Sequence, residues 1–385
     1  MTILLRFFAI LPALALAGAA GSADLAPVEE RFPGAPIALL VDLSSGQVLF
    51  SREADRRFMP ASMTKVMTAF LAFELMEEGK LSPDQSFWMS ENAYREWHGK
   101  GSRMFLDRSE PVTVETLLLG ITSVSANDGA IVLAEGAAGS VDNWVAMMNA
   151  KAHEIGMTDS HFGTPNGWMD EGRTFTTAND LAVLAREMIT RHPQRYAFYF
   201  GREGMSYHGI AQENHDPISG RIEGADGIKT GFTNQAGYGF LGSVERDGRR
   251  LVSVAATART PRDRNRATIA MIEWGFDAFD TRKLYPRGGY VGEAMVQEGA
   301  RSTIPLVAAA PISATFPSGT DATPRLTIRY DGPLQAPLKE GARVAQLEIA
   351  VEGAPPSRVP LLTGEAVPKA SDWQRLVNGI VGLFR

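Results

Sequence analysis

Residues 58–73 read FMPASMTKVMTAFLAF, and the rest of the chain is organised around them. Pro60 suits the first turn of a helix, where its missing N–H has no partner to lose. From Met63 to Met76 nearly every position is apolar on all sides, the pattern of a helix buried in a large core. Ser62 and Lys65 interrupt that pattern three residues apart, so one helical turn puts the hydroxyl and the amine on the same face. Lys65 is also the only charge between Arg57 and Glu74. A lone buried ammonium is driven towards the free amine, and a free amine beside a serine is a general base beside a nucleophile. The plainer reading, a lysine near a helix start that snorkels to solvent, is open at this point.

With 385 residues the chain exceeds one ordinary core and predicts two domains. A formal charge of -6 with no long single-sign block argues against a nucleic-acid partner. Cysteine is absent, which removes disulfides, thiol catalysis and cysteine metal sites. The six histidines lack His-Glu-x-x-His or comparable spacing, so neither metal nor cofactor is expected, and His208 and His215 read as structural. Residues 1–23 carry one arginine, an apolar run containing Pro12, and small residues ending at Ala20 or Ala23, which is the pattern of a secretory signal peptide. No other stretch is apolar for long enough to cross a bilayer. The mature chain is therefore expected outside the cytoplasm, beginning near Asp24.

Working outward, Ile37–Asp42 and Gln47–Phe50 read as a β-hairpin before the Ser62 helix, which Gly79 stops. Leu81–Arg108 is polar and turn-rich, with Trp88, Trp97 and Phe105 expected to pack as a loop layer on the core. Thr113 caps a predicted helix through Leu119, and a second runs from Asp128 to about Glu135. Between them lie Ser125 and Asn127, which read on their own as a helix-capping turn. Further helices are expected over Val141–Ile155 and Ala178–Ile189, while Phe198–Glu223 stays unassigned. Tyr238–Val244 and Leu251–Ala256 read as successive antiparallel strands after Lys229-Thr230-Gly231, which falls on an edge strand where Gly231 would let a ligand backbone approach. A helix over Met271–Phe279 closes an α+β domain. From Leu284 short alternating runs predict a small all-β domain over 284–370, and 371–385 predicts a separate amphipathic helix.

Three motifs thus stand in order: Ser62-Met63-Thr64-Lys65, Ser125-Ala126-Asn127 and Lys229-Thr230-Gly231. In this the chain resembles the penicillin-binding proteins and serine β-lactamases, and more closely the low-molecular-weight D-alanyl-D-alanine carboxypeptidases. The likeness implies a transpeptidase-like α+β domain over 24–283, an antiparallel sheet with a helical cluster. It also implies the activity: removal of the terminal D-alanine from peptidoglycan stem pentapeptides through an acyl-enzyme on Ser62, with β-lactams as inhibitors. Lys65 would take the Ser62 proton, and Ser125, held by Lys229 and Lys65, would protonate the leaving amine. Backbone N–H groups of Ser62 and Phe232 would form the oxyanion hole. Asn127, Lys229, Thr230, Gly231, Phe232 and Arg264 would bind substrate, Arg264 standing in a cluster with Arg259, Arg262 and Arg266 that otherwise reads as a solvated face. Phe232 and Asn166 stand where some relatives carry histidines.

Lysine usage adds an argument from this chain alone, because only eight lysines occur beside thirty arginines, yet Lys65 and Lys229 hold both motif positions. An arginine cannot give up its proton; a lysine can. The rival readings are a secreted serine β-lactamase, which would add a Glu-x-x-Leu-Asn that is absent between Asn127 and Lys229, and a non-catalytic peptidoglycan-binding scaffold. The tail helix resembles the membrane-associating tail of the carboxypeptidases and implies peripheral attachment to the outer, periplasmic face of the cytoplasmic membrane.

Overall fold

A computed structural model of the chain describes residues 31–371. The expected leader, and the expected tail helix beyond Ser371, lie outside the described residues. The hairpin is present as β1 (Ile37–Asp42) and β2 (Gln47–Arg52). Its side chains alternate in register with the pleat: Ile37, Leu39 and Val41 join the helical cluster, while Ala38 and Leu40 face the other way. A 3-10 turn, Ala61–Met63, leads into α1 (Thr64–Glu77). Every residue of α1 from Thr64 to Phe73 is buried, Lys65 included, and Gly79 ends the helix at a φ of +68° with its N–H on the Met76 carbonyl.

The stretch after α1 is more ordered than a loop layer, holding β3 (Ser86–Phe87), α2 (Glu91–Trp97) and β4 (Val112–Thr113). Ser90 caps α2 by accepting from Ala93 N, a short-range signal present in the sequence. Of the three aromatic residues expected to pack there, only Trp97 does; Trp88 is 59% exposed and Phe105 39%. Thr113 caps α3 (Val114–Ser123) as predicted, and the helix runs a turn past Leu119. The cluster is completed by α4 (Asn127–Ala138), α5 (Val141–Glu154), α6 (Ala178–Arg191) and α7 (Pro193–Tyr199), with Pro193 at the first position of α7. The unassigned stretch contains the end of α7 and a hairpin, β5 (Gly204–Tyr207) and β6 (Ile210–Glu213), whose residues are exposed or half-buried and so lack a periodic apolar face.

Three longer strands, β7 (Ala225–Thr233), β8 (Gly237–Arg246) and β9 (Arg249–Ala258), join the first hairpin in the order β2-β1-β9-β8-β7, each neighbouring pair antiparallel. β7 is the edge strand, as expected. Helix α8 (Pro261–Asp277) packs Ala267 and Met271 on the face opposite the helical cluster. It starts ten residues before the predicted Met271, capped by Thr260 and opened by Pro261. The arginines at 262, 264 and 266 hide its apolar stripe from a periodicity reading, and they are not one solvated face, because Arg264 is buried.

The remaining strands are β10 (Phe279–Tyr285), β11 (Tyr290–Gln297), β12 (Thr303–Ala308), β13 (Ile312–Pro317), β14 (Arg325–Arg329), β15 (Leu334–Gln335), β16 (Arg343–Val351) and β17 (Ala354–Thr363). They form an all-β unit: β10 pairs with β13, and the others make a six-stranded sheet in the order β14-β16-β17-β12-β11-β15 over a core that includes Leu306, Phe316, Leu347 and Leu361. It is attached to the first sheet by apolar packing of Phe279 and Ala354 with the cluster around Leu40 and Phe50, and by a polar network centred on the buried Asp42. Asp42 Oδ2 accepts from Arg249 Nε at 2.8 Å, Thr281 Oγ1 at 2.8 Å and Thr315 Oγ1 at 3.0 Å, while Gln47 Oε1 accepts from Thr315 N. Buried groups satisfied this fully fix orientation, since misplacing any one strands a desolvated partner.

Candidate active site

Ser62 lies in the 3-10 turn and Lys65 in the first turn of α1, where the predicted pairing is present: Lys65 Nζ is 2.9 Å from Ser62 Oγ. Nζ also donates to Asn127 Oδ1 at 2.8 Å and to the Asn166 carbonyl at 2.7 Å. Lys65 is 1% exposed and does not snorkel. Burial, aided by the nearby Lys229 charge, pulls its pKa well below the usual lysine value, against an opposing pull from Asp128. Ala61, immediately before the serine, has φ +48°, a left-handed backbone that disfavours a side chain.

The second motif sits at the turn from α3 to α4, where Ser125 takes φ +62° and Asn127 opens α4. Asn127 does more than cap. Its side chain holds Lys65, its N–H donates to Ser102 O at 2.9 Å, and its Nδ2 donates to Lys100 O at 3.3 Å. Asp128 completes the clamp by accepting from Met104 N and Leu106 N, both at 3.0 Å, and burial raises its pKa. The expectation that Ser125 is held by both lysines differs from the structure, where Asn127 occupies the direct contact with Lys65. Among the described residues the Ser125 hydroxyl has no hydrogen bond, and it faces the cavity beside Ser62.

The third motif lies along β7. Lys229 is buried, donates to Thr230 O at 3.2 Å, and has a pKa brought down to about 7 by burial and by Arg264, with Asp216 opposing. Gly231 has a reason other than ligand approach: a Cβ there would lie 2.4 Å from Pro60 O, so its smallness lets β7 pack on the turn that carries Ser62. Phe232 is 47% exposed at the cavity mouth and stacks on Tyr238, with ring centroids 4.1 Å apart. Arg264, in the first turn of α8, is 6% exposed and reaches the same cavity, its Nη1 on Gly239 O and its Nε on Asn265 Oδ1.

Ser62 stands where two lobes of one cleft meet. The first, of about 490 Å³, holds Ser125, Thr230, Gly231, Phe232 and Arg264, and also His215, Asp216 and Arg221. The second, of about 290 Å³, is lined by Asn127, Asn166, Trp168, Met169 and Asn234 and contains no charged side chain. One sequence reading changes here. His215 is a cavity residue rather than a structural one, its pKa lowered by burial and by Lys229 and Arg264, whereas His208 is exposed and pairs with Glu110. Asn166, which stands where some relatives carry histidine, supplies its backbone carbonyl to Lys65. A backbone acceptor leaves no signature in residue type. Among the described residues no three histidine, aspartate or glutamate side chains gather to hold a metal.

Comparison with known proteins agrees with this geometry. The family model described as D-alanyl-D-alanine carboxypeptidase matches residues 30–260, and that described as Penicillin-binding protein 5, C-terminal domain, matches residues 279–369. The chain is 30% identical over 339 residues to the D-alanyl-D-alanine carboxypeptidase DacF of Bacillus subtilis (strain 168), covering 86% of each. Its fold is similar to that of penicillin binding protein 5 from Haemophilus influenzae, with a TM-score of 0.77 and 29% identity over 87% of this chain and 98% of that one. It is also similar to Penicillin-Binding Protein D2 from Listeria monocytogenes in its ampicillin-bound form, with a TM-score of 0.57 and 29% identity over 63% of this chain and 97% of that one.

Proposed function

This chain belongs to the D-alanyl-D-alanine carboxypeptidase family, and from that premise we propose how its own residues release the terminal D-alanine of peptidoglycan stem pentapeptides. It is a serine-type carboxypeptidase of the penicillin-binding kind, and β-lactams are its covalent inhibitors. The observation that carries the mechanism is the set of three contacts at Lys65 Nζ. A neutral amine has two N–H bonds and one lone pair. Asn127 Oδ1 and Asn166 O accept the two N–H bonds, so the lone pair is left for the Ser62 hydroxyl proton.

In this reading Ser62 Oγ gives its proton to Lys65 and attacks the carbonyl carbon between the two terminal alanines. The C–N bond then breaks, and the leaving amine takes the proton that Lys65 received from Ser62. The acyl ester on Ser62 is hydrolysed by water with Lys65 again as base. Backbone N–H groups of Ser62 and Phe232 stabilise the oxyanion. The lobe that holds Arg264 receives the free carboxylate of the departing alanine, with Arg264 and Thr230 on its wall and Lys229 behind them. The uncharged lobe receives the rest of the stem.

A stem pentapeptide ending in D-Ala-D-Ala and a labelled penicillin test this together. D-alanine release, with the label mapped to Ser62, is the expected result; no release, or a label on another serine, overturns it. For location, the leader-like residues 1–23 and the amphipathic pattern of 371–385 support secretion and peripheral attachment to the outer face of the cytoplasmic membrane.

A further inference from the structure

A second groove, of about 480 Å³, lies away from the cleft between β3, the start of α2 and the junction of α4 with α5. Its lining combines an aromatic surface with short polar groups, chiefly Phe87, Trp88, Ser90, Asn92, Glu135 and Asp142. Trp88 offers an indole 59% exposed although Phe87 beside it is packed down. Gly136 permits that packing, since a Cβ there would sit 2.1 Å from the Phe87 ring. Glu135 Oε2 is closed to bulk solvent and meets no donor among the described residues. A buried acceptor left so is destabilising until a donor reaches it. An open groove with one bare aromatic face, carboxylates and amides suits a ligand with an apolar C–H face and many hydroxyls, which is a saccharide.

Its placement relates it to the cleft. α4 begins at Asn127, on Lys65, and reaches Glu135 about 12 Å further along the helix axis at 1.5 Å per residue. α2 begins at the groove with Ser90 as its cap, and it ends where Trp97 meets Trp168 edge-on at 5.8 Å. Groove and cleft thus lie at opposite ends of the same two helices. We propose that this groove binds the saccharide chain of peptidoglycan while the stem peptide occupies the cleft, an inference that rests on the carboxypeptidase reading of the cleft. Trp88 stacks on a sugar ring, and the Glu135 side chain turns its enclosed Oε2 into the groove to accept from a sugar hydroxyl.

Full-length protein is tested with peptide-free glycan strands, with intact peptidoglycan and with free pentapeptide. Trp88→Ala is expected to weaken glycan-strand binding roughly tenfold, the loss of one stacking contact. It should raise KM on intact peptidoglycan by a similar factor, with free pentapeptide cleaved as before. Glu135→Gln serves as a second variant, and decides alone if Trp88→Ala fails to fold. No glycan binding by the unsubstituted protein, or equal binding by protein and variant, overturns the proposal. Failure to cleave the free pentapeptide would count against the carboxypeptidase reading instead, and the glycan-strand arm would still decide the groove.

Discussion

Lys229 lowers the pKa of Lys65 through its charge, so the two amines should be separable by pH. Acylation by a labelled penicillin should rise with pH as Lys65 loses its proton. In Lys229→Met the neighbouring cation is gone, Lys65 holds its proton more firmly, and the rising limb should move to higher pH. A limb that stays in place, or moves down, would show that Lys65 is not the base. Arg264 is tested by a different comparison. Arg264→Ala should cost about 1–3 kcal/mol of transition-state stabilisation on peptides with a free terminal carboxylate, and almost nothing on their amidated forms; equal losses on both would make the arginine structural. Ser62 and Lys65 were legible because a lone charge within an apolar run is a one-dimensional signal. His215, Asp216 and the Asn166 carbonyl were not, because they reach the cleft only through the tertiary approach of separate loops.

At the scale of elements, the site depends on how closely β7 lies against the turn before α1. Gly231→Ala would place a methyl group 2.4 Å from Pro60 O, and a backbone oxygen cannot rotate aside. The strand and the Ala61–Met63 turn must part, at an expected cost of about 1–3 kcal/mol in stability. Penicillin acylation should fall by more than that loss explains, because the oxyanion donors proposed on the two elements separate together. Unfolding midpoints and labelling rates measured on one preparation check this, and a variant that labels at the normal rate would refute the shared geometry. Strand and helix order was readable where the apolar pattern was strong, as in the unbroken run of α1 and the apolar runs of α3, β8 and β9. α8 was cut short by its arginines, and β5–β6 was missed because a two-sided exposed hairpin has no apolar period.

The whole molecule is two sheet-based units fixed to each other through Asp42, Thr281, Thr315 and Gln47, a joint better suited to holding an angle than to hinging. If the tail after Ser371 lies on a membrane, the β unit sets the distance of the cleft from that surface. Deleting residues 371–385 should then release the protein from lipid vesicles and leave its activity on free pentapeptide unchanged. Sedimentation with vesicles decides, and a full-length protein that never sediments defeats the idea. The buried amines also bear on the stability of the whole chain. Once unfolded, Lys229 returns from about 7 towards 10.5, so between those values unfolding takes up a proton that the folded chain lacks. Below that window both states carry the proton, and the folded chain bears the full penalty of an ammonium held out of water. Above it neither carries the proton and the penalty is absent. Raising the pH through the window should therefore strengthen the fold as far as Lys229 is concerned, and Lys65, displaced in the same direction, acts with the same sign. An anion seated beside these amines would oppose that trend, so ligand-free protein at or below about pH 7 is the form in which the reactive centre strains its own scaffold the most.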